Sequence, residues 1–144
     1  MKRLLWMLPL LLLLVAVGAG AHDKFEGPNS CKQCGMSRVT FAHSRMLIVF
    51  AGGSRVGVCS LNCAVNELKE HRGKKVRSLR VADYDSKKLI DAKKAFWVIG
   101  GNKPGVMTAT PKWAFAEKVD AERFIATNGG KLATFEEALT LAEQ

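Results

Sequence analysis

Met46-Leu47-Ile48-Val49-Phe50-Ala51-Gly52-Gly53-Ser54-Arg55-Val56-Gly57-Val58-Cys59-Ser60-Leu61-Asn62-Cys63 is the stretch that decides the fold. Its first five residues are all apolar and read as a strand, Ala51 to Ser54 carries two glycines and reads as a turn, and Arg55 to Cys59 reads as a second strand. A β-hairpin is therefore expected. Ser60 is a good helix N-cap, and Leu61, Ala64, Val65 and Leu68 fall at i, i+3, i+4 and i+7, the apolar stripe of a helix that Gly73 ends. From Lys75 to Ala82, Val76, Leu79 and Val81 stand among basic residues as a third strand.

Downstream the same order returns. Ala95 to Ile99 reads as a strand, a Gly/Pro/Asn-rich loop follows, and Trp113-Ala114-Phe115 resumes as its partner. A helix from about Val119 to Asn128 would bury Ala121, Phe124 and Ile125, and Gly129-Gly130 leads into the strand Lys131-Leu132-Ala133. A last helix begins at Thr134, with Glu137 three residues on as in a capping box. Sliding the chain on itself by 56 positions sets Val65 on Ala121, Leu68 on Phe124, Gly73 on Gly129 and Val76 on Leu132. The fold class expected is α+β: two related ββαβ halves, about 31–84 and 95–137, packed as one small unit, since neither half could bury a core alone.

Upstream, Lys2 and Arg3 precede an apolar run from Leu4 to Val17 that closes on Ala19-Gly20-Ala21, the pattern of a secretory signal peptide over residues 1–21. Cleavage there would start the mature chain at His22. An uncleaved leader would be an anchor, because the 18 residues from Leu4 to Ala21 fall within the roughly 17–25 that span a bilayer. The protein is expected to be exported, to the periplasm or the outer face of the cytoplasmic membrane. Without Lys2 and Arg3 the formal charge of +9 becomes 9 − 2 = +7. Outside the cytoplasm that charge suits a solvated face beside an anionic membrane, and no nucleic-acid partner is expected.

All four cysteines lie in the first half, as Cys31-Lys32-Gln33-Cys34-Gly35-Met36 and Cys59-Ser60-Leu61-Asn62-Cys63. Two residues between Cys31 and Cys34 let one turn aim both sulfurs at one point, with Gly35 relieving the crowding. Cys59 closes a strand and Cys63 sits in the first turn of a helix, where the helix end favours thiolate. Knuckle, hairpin and helix start in that order make a treble-clef-like cysteine knuckle at the N-terminal side. A metal site is the leading reading, and two disulfides or a redox pair remain open in an oxidising compartment. Thiolates alone admit Zn(II), whereas thioethers prefer Cu(I), and Met36 adjoins the knuckle. Met107 lies in a loop and is a further ligand candidate; Met46 opens an apolar strand and reads as core, and His43 and His71 read as surface residues. His22 at a mature N-terminus could chelate copper as in an oxidase, but that needs a second histidine opposite.

Cys-x-x-Cys-Gly-Met soon after an export signal, followed by Gly105-Val106-Met107-Thr108 and Lys112-Trp113-Ala114-Phe115 before a helix and Gly129-Gly130, resembles the NosL family, accessory proteins of nitrous oxide reductase. The resemblance spans about Cys31 to Glu137. It implies a NosL-like metal-binding domain over 22–144 with two ββαβ halves, a Cu(I) cargo, and Cys31, Cys34, Met36 and Met107 as ligands to test. The leader has no acceptor cysteine for the lipid that such proteins commonly carry, and Cys59 and Cys63 have no place in the usual pattern. The function expected is that of an envelope metallochaperone passing copper to a metal-receiving envelope enzyme, with nitrous oxide reductase as one client. The alternatives are a structural Zn(II) four-cysteine interaction module and a thiol-disulfide oxidoreductase. No enzyme is expected, because no catalytic group or phosphate loop stands out.

Overall fold

The computed structural model describes residues 26–144; the signal peptide or anchor expected over 1–21, and His22, lie outside the described residues. The first half contains β1 (Met46–Phe50), β2 (Arg55–Val58), α1 (Leu61–Glu70) and β3 (Val76–Ala82), extended by a short β4 (Leu89–Asp91). The second contains β5 (Phe96–Ile99), β6 (Lys112–Phe115), α2 (Lys118–Asn128) and β7 (Lys131–Ala133), and α3 (Phe135–Glu143) ends the chain.

Two antiparallel sheets result, ordered β2-β1-β3-β4 and β6-β5-β7. In each, the first strand of the half is central, its hairpin partner lies on one side, and the strand after the helix lies on the other. The duplication expected from the sequence is thus present in the topology. All five residues of β1 are buried, as a central strand covered on both faces requires, which explains an apolar run without alternation. Besides β4, which the second half lacks, the halves differ in the loop of their hairpins. Residues 51–54 close the first hairpin through a bond from the Phe50 N–H to the Ser54 carbonyl at 2.9 Å, whereas 100–111 make a much longer connection in the second.

Local chemistry fixes the helix starts. The Ser60 side chain accepts from the Cys63 N–H at the head of α1, and Thr134 and Glu137 form a reciprocal capping box at the head of α3. The strand β4 was not expected: Leu89-Ile90-Asp91 is too short, and too closely flanked by lysines, for periodicity to mark it, and it forms by pairing with Arg80 to Ala82.

The halves share one core. The Tyr84 N–H donates to the Ala114 carbonyl at 2.8 Å, and the Ala116 N–H to Asp83 Oδ1 at 2.9 Å, joining the end of β3 to β6. Tyr84 also packs its ring against Trp113, Phe115 and Phe124 of the second half. The last helix adds to the join, as α3 lies beside both α1 and β5, with Phe135 against Trp97.

Candidate metal centre

The knuckle is a tight loop closed on itself. The Cys31 N–H donates to the Met36 carbonyl at 2.8 Å, the Gly35 N–H returns to the Cys31 carbonyl at 2.9 Å, and Ser30 pairs with Ser37 below. Gly35 sits at φ +75°, a left-handed conformation costly to residues with a Cβ. Open space surrounds the point where its Cβ would stand, so backbone conformation and not crowding calls for glycine here.

The loop docks on the hairpin in two ways. The Lys32 N–H donates to the Gly57 carbonyl at 3.0 Å. More deeply, Arg38 is completely buried and donates to the carbonyls of Val58 (3.2 Å), Pro28 (2.7 Å), Glu26 (3.1 Å) and Met46 (3.1 Å). Its guanidinium fills the space above Gly57, where any Cβ would fall 2.5 Å from Arg38 Cζ. One side chain therefore binds the knuckle segment to both strands of the hairpin. Glu26 supplies the counter-charge to Arg38 at 3.5 Å and to Arg45 at 2.7 Å.

Cys59 follows β2, and its carbonyl accepts from the Ser44 hydroxyl at 2.8 Å; Cys63 lies one turn into α1. With knuckle and hairpin docked, the sulfurs of Cys31, Cys34, Cys59 and Cys63 all lie within 4.8 Å of one another. Cys34 Sγ is 3.5 Å and Cys63 Sγ 3.7 Å from Cys59 Sγ, far beyond the roughly 2.05 Å of a disulfide, and all four are free thiols. Four sulfurs arranged tetrahedrally at about 2.3 Å from one ion stand about 3.8 Å apart. The donor set therefore fits a single soft ion with little rearrangement. Three of the cysteines are buried and Cys34 is partly exposed.

Electrostatics favour thiolate at the helix. Cys63 is held down at about 6, chiefly by the hydrogen bond from Cys59, against the opposing effect of burial, and further by the Ser60 hydroxyl. Cys59 is pushed up by the same bond, in which it is the donor, and burial adds to the effect. Burial is also the main reason Cys34 is raised. Arg38 is close enough for its charge to act on Cys31 and Cys59, so a fixed cation lies behind a cluster that becomes strongly negative when ionised.

The methionines are placed differently. Met36 contributes its carbonyl to the knuckle and packs its side chain partly on the core; Met46 is fully buried in β1. Met107 is 48% exposed, at φ +56° in the 100–111 loop. That loop reaches the cysteine helix through buried Lys112, whose Nζ donates to Thr108 Oγ1 (3.2 Å), the Thr110 carbonyl (3.0 Å) and Asn62 Oδ1 (3.3 Å), between Cys59 and Cys63 in the chain. His43 and His71 are not simple surface residues. His43 stands among the rings of Phe41, Tyr84 and Trp113, where burial lowers its pKa. His71 contacts Glu67, a buried carboxylate that the helical stripe did not flag.

The NosL family model matches residues 22–140. The chain belongs to the NosL family. No curated protein is matched. Among solved structures, this family member resembles the crystal structure of the copper chaperone NosL from Shewanella denitrificans, with a TM-score of 0.62 and 23% identity over 80% of this chain and 92% of that one. At that identity the likeness concerns the fold. For this NosL chain, the sequence signals that could have exposed Arg38, Glu67 and Lys112 are weak, because an isolated charge in a short element reads as solvated until its neighbours are known.

Proposed function

We propose that the protein is an envelope metallochaperone that carries Cu(I) on its cysteine cluster and passes it to a partner enzyme by ligand exchange. The observation that carries this reading is the convergence of four unbonded sulfurs within 4.8 Å. Thiolates are soft donors and suit Cu(I). Membership of the NosL family, and a fold shared with a protein described as a copper chaperone, support copper as the cargo.

A four-thiolate set suits Zn(II) as well, and structural zinc sites are closed. The partly exposed Cys34 favours transfer, since an incoming ligand needs one donor it can reach. Export, cleavage after Ala21 and a non-catalytic role belong to the proposal; a nitrous oxide reductase client rests on the family resemblance alone. Met36 and Met107 are secondary ligands in this reading.

The test is competition between the reduced full chain and a Cu(I) chelator under anaerobic conditions. One Cu(I) per chain with sulfur-only coordination in copper X-ray absorption is expected. Cys31→Ser with Cys34→Ser should abolish tight binding, because a hydroxyl is a poor donor to a soft ion. Unchanged affinity would overturn the site. Cys59→Ser with Cys63→Ser should lower the sulfur count; a count that stays the same assigns the remaining donors to methionine.

A further inference from the structure

Glu67 is fully buried on α1, and its two oxygens are treated differently. Oε2 accepts from Gln33 Nε2 at 2.7 Å, whereas Oε1 is buried without a hydrogen-bond partner. A buried carboxylate oxygen left in that state is expensive and calls for a cationic partner. The nearest candidate is His71, whose Nδ1 lies 3.3 Å from Oε1 but faces the Glu67 carbonyl more closely, at 3.0 Å. The same nitrogen thus faces both the carboxylate and the backbone carbonyl, and a cation taken up at Nδ1 would displace its contact with the carbonyl. Glu70 completes a group in which one ligand atom from each of Glu67, Glu70 and His71 lies within 4.8 Å of the others. Among the described residues no lysine or arginine forms an ion pair with either carboxylate.

We propose that Glu67, Glu70 and His71 form a second cation site, for a borderline divalent ion such as Zn(II), at the C-terminal turn of α1. Two carboxylates and an imidazole are harder donors than thiolates and select a different ion. The C-terminal end of a helix carries partial negative charge, which also favours a cation there. Three protein ligands leave a fourth position for water, and the exposed Glu70 and partly exposed His71 give the ion a way in. Gln33 ties this site to the knuckle, since it lies between Cys31 and Cys34 and holds the other oxygen of Glu67. The inference does not depend on which ion the thiolates carry.

Zn(II) titration of the reduced full chain by calorimetry, with imidazole nitrogen shifts followed by NMR, tests it. Wild type should bind one more equivalent than His71→Ala or Glu70→Gln, both of which alter accessible side chains. The His71 imidazole should shift with that equivalent, while protection of the cysteines from a thiol reagent stays the same in all three proteins. Equal stoichiometry in wild type and both variants, or an unmoved His71 signal at saturating Zn(II), would overturn the site. An imidazolium signal from His71 indifferent to Zn(II) would do the same, by assigning Oε1 to an ion pair with protonated His71.

Discussion

Arg38 carries its positive charge with no exposed surface, and four backbone carbonyls and Glu26 make that tolerable. Arg38→Met would keep much of the volume but strip those carbonyls of their donor and leave Glu26 with one cation fewer. Breaking a buried charged network in this way costs about 3–5 kcal/mol, read as a fall in the urea midpoint of the reduced apoprotein. Gly57→Ala acts on the same contact from the other side, forcing the guanidinium away from a Cβ 2.5 Å from Cζ. It should destabilise by about 1–3 kcal/mol by overpacking and weaken metal binding, because the knuckle docks there. Of the residues around the thiols, the four cysteines were legible from spacing alone. Arg38, Gln33 and Glu67 were not, since a charged or amide side chain gives no sign in sequence that the fold will close over it.

At the scale of elements, strands and helices were legible where their signals were local. Ser60 and Thr134 are caps whose partners lie three residues away, and Thr134→Ala should lose about 1 kcal/mol in denaturant unfolding. Contacts made across elements were not legible, and Asp83 is the case in point. It receives Ser86 Oγ at 2.6 Å, the Ser86 N–H at 2.8 Å and the Ala116 N–H at 2.9 Å, so it fastens the end of β3 to β6. Burial alone would raise its pKa, but those donors and Lys87 lower it below the ordinary 3.8, and Arg45 and Arg38 likewise bring Glu26 below its ordinary 4.5. Both carboxyls are therefore more acidic folded than unfolded, and below these ordinary values the unfolded chain binds more protons. The stability they contribute is present above about pH 4.5 and drains away as pH falls through the lower folded values. Asp83→Asn should remove part of that acid dependence and about 1.5–3 kcal/mol at neutral pH, measured as denaturant midpoints across a pH series.

Across the whole molecule, the two halves meet at the cysteine helix through Lys112, which brings the 100–111 loop to Asn62. Lys112→Met should leave both sheets intact while freeing that loop. Amide exchange from Gly105 to Thr110 should rise and stability fall by about 1–2 kcal/mol, with the four sulfurs still able to take one ion. Exchange unchanged from wild type would mean the loop is held by other contacts. The 100–111 loop occupies the place that the short turn 51–54 holds in the first half, between equivalent strands. A repeated architecture therefore separates two obligations that a single copy would have to reconcile. One copy keeps a fixed, short-turned hairpin beside the sulfurs, and the other carries a long connection anchored to the cysteine helix at Lys112, so rigidity and reach fall to different copies of the same unit.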